Sequence, residues 1–230
     1  MIRNLKALIL AALAVAALGA VMASAAQAAP KFTVAGATEA SETTLTILKD
    51  GTGKTAHQVF DFFNALGAEE KTITCNEITG DATVKGASQT ATLFITPGFS
   101  GCQFLGTEVT FPNNGCNFEY TAVGLLHIRS EAGKECKHGK QPFVFQTKAP
   151  LECKIEIGEQ TLEGIIYHNL ADGTITVNLP EAGVPITFNA TGKDCPYGTL
   201  NNGNFTTGNF IITGEKKGTT EMVNISWDKE

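Results

Sequence analysis

Six cysteines and four histidines are the side chains of this sequence best suited to chemistry. Cys75, Cys102, Cys116, Cys136, Cys153 and Cys195 follow one another at intervals of 27, 14, 20, 17 and 42 positions. None forms a C-x-x-C pair, which argues against a zinc ribbon and against a thioredoxin-like redox centre. His138 stands two residues after Cys136 and reads as a loop histidine beside a disulfide rather than as a metal ligand. The spacing therefore predicts no metal site and no cofactor.

The hydroxyls, imidazoles and acids do not assemble a catalytic pattern by spacing. Gly98-Phe99-Ser100-Gly101 lacks the second spacer of a G-x-S-x-G elbow. Gly51-Thr52-Gly53-Lys54-Thr55 resembles the end of a phosphate-binding loop, but Leu48 stands where that motif needs its first glycine, so it reads as a surface turn. His127 alternates with apolar Leu126 and Ile128 and is expected to face solvent from a strand. His57 and His168 have no recognisable partner in the sequence. Glu69-Glu70 read as solvated acids in a turn. No catalytic residue is assigned. A triad or acid pair assembled from distant residues is the one remaining route to an enzyme.

What must position these groups begins at the N-terminus. Met1 to Lys6 is short and basic, Ala7 to Val21 is apolar, and Ala23-Ser24-Ala25 and Ala26-Gln27-Ala28 are small-residue sites. That order is the pattern of a secretory signal peptide, residues 1–28, with the mature chain beginning at Ala29. The apolar run of about 15 residues is short for a bilayer core of about 30 Å. All six cysteines lie beyond the cut, and an even count in an oxidising compartment implies three disulfides. The preferred pairing is Cys75–Cys102, Cys136–Cys153 and Cys116–Cys195, out of 15 pairings open to six cysteines. The full chain carries a net charge of −6. Loss of Arg3 and Lys6 takes the mature form to about −8, which disfavours nucleic acid and anionic membranes as partners. No second apolar span follows, so the mature form has no expected membrane span.

Past Pro30 the sequence alternates with period two, as half-buried strands do. Cys153, Ile155 and Ile157 share a face, as do Ile175, Val177 and Leu179, then Val184, Ile186 and Phe188, then Val223, Ile225 and Trp227. His57 to Leu66 reads as a Phe-rich strand, with a helix as the alternative. Turn signals separate the runs, including Pro112 to Gly115, Asp172-Gly173 and Asn201-Asn202-Gly203. Thr107–Phe111 with Cys116–Tyr120 reads as one hairpin, and Glu163–His168 with Thr174–Leu179 as another. The repeat Gly203-Asn204-Phe205, Gly208-Asn209-Phe210 reads as two successive turns. The expected fold is all-β: an antiparallel β-sandwich or barrel-like domain over residues 29–230, disulfide-stabilised, with any two-lobe division near residue 124.

The run Thr74-Cys75, Leu93 to Cys102, Asn114 to Phe118 and Cys153 to Ile157, closed by the strand ending in Trp227, resembles an uncharacterised group of secreted, cysteine-containing β-rich proteins of soil actinobacteria. The resemblance implies export, disulfides and an all-β fold, and carries no functional residue.

The expectation is thus a secreted, non-catalytic protein with a binding or structural role outside the cell, recognising an unidentified ligand through loops, especially Lys193 to Asn209. A sugar platform of exposed rings is weakly signalled. There are one Trp and three Tyr against fourteen Phe, Trp227 and Tyr120 face inward, and Tyr197 alone looks exposed. The rivals are a secreted hydrolase with a loop-assembled site and a secreted protein inhibitor.

Overall fold

The computed structural model describes residues 28–35, 42–49, 58–63, 69–85, 88–112, 117–130, 143–180, 183–195, 201–207 and 210–229. Every regular element among them is a strand. In chain order these are β1 (Lys31–Ala35), β2 (Glu42–Lys49), β3 (Gln58–Phe63), β4 (Glu69–Cys75), β5 (Glu77–Lys85), β6 (Gln89–Thr90) and β7 (Thr92–Ser100). Then come β8 (Cys102–Phe104), β9 (Thr107–Thr110), β10 (Asn117–Thr121), β11 (Leu125–Arg129), β12 (Phe143–Thr147), β13 (Lys154–Ile157) and β14 (Gln160–Glu163). The last are β15 (Ile166–Asn169), β16 (Ile175–Asn178), β17 (Val184–Thr191), β18 (Asn201–Thr207), β19 (Phe210–Lys216) and β20 (Met222–Asp228).

The strands form two antiparallel systems. Eight close a barrel in the order β12-β13-β17-β18-β3-β4-β8-β9, with β9 returning to β12 through Thr147 opposite Val109. The other twelve build a larger sheet whose main path is β14-β11-β10-β7-β5-β2-β19-β20-β1-β6. That sheet forks at β19. Phe210 to Ile212 pair with β16, which carries β15, while Gly214 and Glu215 pair with β20. The chain visits the two systems alternately, dropping strands two or three at a time into each.

Some visits are a single bend. Asn76 alone separates barrel strand β4 from sheet strand β5, and Gly101 alone separates β7 from β8. Both ribbons therefore leave one system and enter the other as nearly continuous strands, the way corners are turned in orthogonal β packings. The Cys75–Cys102 disulfide joins the two ribbons at that corner, as the sequence predicted.

Period-two alternation aims the apolar residues inward. In β17, Val184, Ile186, Phe188 and Ala190 are buried, and in β7, Leu93, Ile95 and Phe99. An eight-strand barrel has just enough interior for its own side chains, and here it is filled largely by phenylalanine. Phe60 stacks on Phe205 at 4.6 Å and tilts against Phe145 at 4.8 Å. Phe99 and Phe118 from the sheet reach into the same cluster, Phe99 meeting Phe60 at 5.6 Å and Phe118 meeting Phe143 at 5.0 Å. One continuous core thus serves both systems, and Pro30–Lys229 forms one compact unit. This is where the excess of Phe over Trp and Tyr is used: a flat ring without a polar atom packs in a closed interior with nothing left unsatisfied.

Three local expectations need correction. Thr107–Phe111 and Cys116–Tyr120 do not form a hairpin: β9 pairs with β8 and β12 in the barrel, β10 with β7 and β11 in the sheet. Asn201-Asn202-Gly203 is not a turn but the start of β18, a barrel strand between β17 and β3. Gly203 is there because the backbones nearly touch, a Cβ on it falling 2.3 Å from the Asp61 carbonyl oxygen. Glu69 and Glu70 open β4 rather than sit in a turn. The strand reading of His57–Leu66 holds over β3, and the second predicted hairpin is β15 and β16.

Candidate functional site

The polar faces of the larger sheet lie opposite its core. Along β5, Ile78, Gly80 and Ala82 turn inward, leaving Glu77, Thr79, Asp81 and Thr83 outward. Along β7, Thr92, Phe94, Thr96, Gly98 and Ser100 are outward, and along β2 Thr44 and Thr46. Register then stacks these positions into rows. Thr213 is opposite Thr46, Thr46 opposite Asp81, and Asp81 opposite Thr96. Thr79 is opposite Gly98, and Glu77 opposite Ser100.

A groove of about 730 Å³ is lined by Thr46, Glu77, Thr79, Asp81, Thr96 and Gly98 together with Ile47, Ile78, Gly80 and Pro97 between them. Gly98 keeps its floor low: a Cβ there would come 2.7 Å from Thr79 Oγ1. The flanking groups are anchored. Thr96 Oγ1 donates to Asn117 Oδ1 at 2.8 Å, and Ser100 Oγ donates to Glu77 Oε2 at 3.1 Å. Among the described lining residues the charge is two carboxylates with no cation. Thr79 Oγ1 donates to the Gly98 carbonyl at 3.5 Å, so the Thr79 and Thr96 hydroxyls, like the carboxylates, are left to accept.

Towards the β14 edge the same face carries an ion pair. Arg129 Nε lies 2.6 Å from Oε2 of the buried Glu119, an ion pair without hydrogen-bond alignment, and its guanidinium sits 5.7 Å from the Phe94 ring centroid. His127 lies between Glu119 on β10 and Thr161 on β14 by register. It lies on the outward face of β11, as expected, half-buried, and its Nδ1 is 2.7 Å from Thr161 Oγ1. This is a hydroxyl within reach of an imidazole, on an open sheet face and lining neither groove.

A second groove, about 300 Å³, is apolar and lined by Pro30, Ala122, Val123, Ile165, Ile166, Trp227 and Lys229. Trp227 stands half-buried at its wall, with Nε1 donating to the Ala122 carbonyl at 2.8 Å. Val223 and Ile225 of the same strand are buried as expected, as is Tyr120.

The second disulfide departs from the expected pairing. Cys153 bonds Cys195, so neither Cys136–Cys153 nor Cys116–Cys195 exists. The reason is register: Lys154 pairs with Thr191 where β13 meets β17, which leaves the flanking cysteines with Cα atoms 4.8 Å apart. Asp194 reinforces the join by accepting the Glu152 amide at 2.8 Å. Cys116 and Cys136 lie outside the described residues, as do His57, His138, Tyr197 and the Gly51–Thr55 run. His168 is exposed on β15. The loop Lys193 to Asn209, expected to be the recognition surface, is occupied from Asn201 to Thr207 by a barrel strand.

Sequence reasoning missed the hydroxyl rows. Their signal was Thr44-x-Thr46 and Thr79-x-Asp81-x-Thr83, polar positions at period two, with Thr96 on β7, whose alignment across strands only register reveals. Compared with family models, with curated proteins and with solved structures, the chain matches none.

Proposed function

We propose that the protein is exported by its N-terminal signal segment and acts outside the cytoplasm, without catalysis, as a binding protein for a polar ligand held on the outer face of its larger sheet. The observation that carries this is the groove formed by Thr46, Thr79, Asp81, Thr96 and Glu77 on three adjacent, fully paired strands. Strand-borne side chains are held more rigidly than loop-borne ones, as a recognition surface requires. The two intramolecular disulfides fit maturation in an oxidising compartment. Glu77 and Asp81 favour binding over hydrolysis. Four residues apart on one strand, their Cα atoms stand roughly 13 Å from each other at about 3.3 Å per residue, wider than the carboxyl separations of glycosidases.

Amide chemical shifts of the mature protein, titrated with soluble polysaccharides and cell-wall fragments, test the reading. Perturbations grouped on β2, β5 and β7 support it. Perturbations grouped on the barrel or around Trp227 overturn the site, and turnover of any added ligand overturns the absence of catalysis. N-terminal sequencing of the exported protein should begin at Ala29; retention of Met1 would overturn export.

The His127–Thr161 pair favours a second reading, a hydrolase with Thr161 as nucleophile. Loss of any detected hydrolysis in both Thr161→Val and His127→Gln would establish it.

A further inference from the structure

We propose that the apolar groove beside Trp227 binds a single-chain amphiphile with an anionic head, a free fatty carboxylate, its chain against Val123, Ile166 and Trp227 and its head at Lys229. The site is separate from the groove on β2, β5 and β7 and does not depend on the polar-ligand reading.

The groove has little that is polar left to offer. Its main chain is largely engaged within the fold. The Ala122 amide donates to the Ala91 carbonyl, the Gly124 amide to the Thr121 carbonyl and the Ile165 amide to the Gly124 carbonyl. The Ala122 carbonyl accepts from Trp227 Nε1, and the Trp227 amide and carbonyl both bond to Asn169. Tyr167, whose ring lies 5.5 Å from that of Trp227, spends its hydroxyl on the Thr121 carbonyl. What remains is carbon from Pro30, Val123, Ile165, Ile166 and Trp227, and one cation, Lys229. Lys229 is exposed and makes no ion pair among the described residues. The acid beside it, Asp228, accepts from Thr33 Oγ1 at 2.6 Å and from Ser226 Oγ at 3.4 Å.

The apolar walls are also open. Val123 is 64% exposed and Ile166 48%, and both line the same groove. Val123 sits inside the tight turn from Thr121 to Gly124, where glycine or a polar residue is the usual choice. Apolar side chains gathered in water gain from a ligand that covers them. The chemistry of that ligand follows from what the groove lacks. A sugar brings a hydroxyl on nearly every carbon and a peptide an amide at every residue, and such groups would find few partners here. An alkyl chain brings none. An ammonium head would meet Lys229 as a like charge, and an alcohol would forgo the charge. A carboxylate pairs with it.

Trp227 is the only tryptophan in the chain, so its fluorescence reports on this groove. The mature protein is titrated with decanoate, decanol and decyltrimethylammonium below their micelle concentrations, and with phosphatidylcholine–phosphatidylglycerol vesicles. Decanoate should shift the emission saturably and bind about two- to fivefold more tightly than decanol, the range of one exposed ion pair, and the preference should fade at high salt. The ammonium should bind more weakly than decanol. Lengthening the chain from octanoate to dodecanoate should tighten binding about two- to fourfold for each methylene the groove covers. Lys229→Gln should bring decanoate to the level of decanol. Val123→Ser with Ile166→Ser, both at exposed positions, should weaken decanoate and decanol alike while leaving the thermal transition in place. Amide shifts moved by decanoate in the unsubstituted protein should centre on Val123, Gly124 and Ile166. Equal binding of the three heads, or a carboxylate preference that survives Lys229→Gln, overturns the anionic assignment. Decanoate binding untouched by the serine pair, or shifts centred elsewhere, overturns the groove as its site. A response to vesicles but not to free decanoate overturns the amphiphile in favour of a lipid surface, and no response to any of them overturns the site altogether. Polysaccharide binding on β2, β5 and β7 is read in its own titration and stands or falls by itself.

Discussion

Asn169 and Trp227 meet as if the side chain of one were the backbone of a missing strand. Asn169 Nδ2 donates to the Trp227 carbonyl at 2.8 Å, and the Trp227 amide donates to Asn169 Oδ1 at 2.7 Å. The two residues are 58 positions apart and lie on β15 and β20, the two arms of the fork at β19. Gln160 repeats the device at the β14 edge. Its Oε1 accepts the Thr187 amide at 2.9 Å and its Nε2 donates to the Thr187 carbonyl at 3.0 Å, tying the sheet to barrel strand β17. Both contacts cover main-chain groups that an open edge would offer to another chain.

Asn169→Leu should therefore lower stability by about 0.5–1.5 kcal/mol, since it strips partners from two backbone groups that are exposed and can turn to water. Asn169→Asp should also destabilise, because it keeps the acceptor for the Trp227 amide but turns a carboxylate oxygen towards the Trp227 carbonyl. Gln160→Leu, at the less exposed of the two sites, should cost at least as much as Asn169→Leu. Chemical denaturation midpoints read each effect.

The disulfide map is the next expectation. Digestion under non-reducing conditions should release Cys75 joined to Cys102 and Cys153 joined to Cys195. Cys116 should then appear with Cys136, the remaining pair within the chain. Alkylation of the denatured, unreduced protein should add no label. Replacing Cys153 and Cys195 together by alanine should cost about 2–5 kcal/mol. A free Cys136 or a disulfide-linked dimer would refute the third bridge.

Two tyrosines should resist alkali. Burial pushes the Tyr120 hydroxyl well above its ordinary range, with the nearby Tyr167 adding to it, and burial likewise raises Tyr167. The Tyr167 hydroxyl also donates to the Thr121 carbonyl at 2.9 Å. Raised folded-state values mean that the folded form holds its phenolic protons longer than the unfolded one. This contribution is complete below pH of about 10 and declines as pH rises beyond it. Absorbance titration should show two of the three tyrosines ionising only as the protein unfolds. Tyr120→Phe and Tyr167→Phe should each shift that alkaline transition upward.

Gly203→Ala should be among the most damaging single substitutions. Its Cβ would stand 2.3 Å from the Asp61 carbonyl oxygen and 3.5 Å from Ile186 Cγ1, inside a closed barrel where strands cannot part locally. Overpacking of this kind costs about 1–3 kcal/mol or more. Thermal unfolding reads it, and a change below about 0.5 kcal/mol, the usual range for surface substitutions, would mean the β3–β18 approach is looser than described.

By itself the sequence determined what alternation can encode. Period-two runs such as Val184 to Ala190 and Thr92 to Ser100 specify strands and the face each buries, because a strand's side chains point to opposite sides in turn. A short hairpin with Asp172-Gly173 at its turn was legible too, because its pairing is local. Only the tertiary structure decided which strands lie side by side. Cys153 finds Cys195 because β13 pairs with β17, not because the two are near in sequence. The Asn201-Asn202-Gly203 run became a strand because the barrel needed a residue without a side chain where two backbones close on each other. Thr46, Asp81 and Thr96 come from segments far apart in the chain and meet through hydrogen-bond register alone. Register is set by the whole set of inward faces packing at once, and no window of the sequence contains that sum.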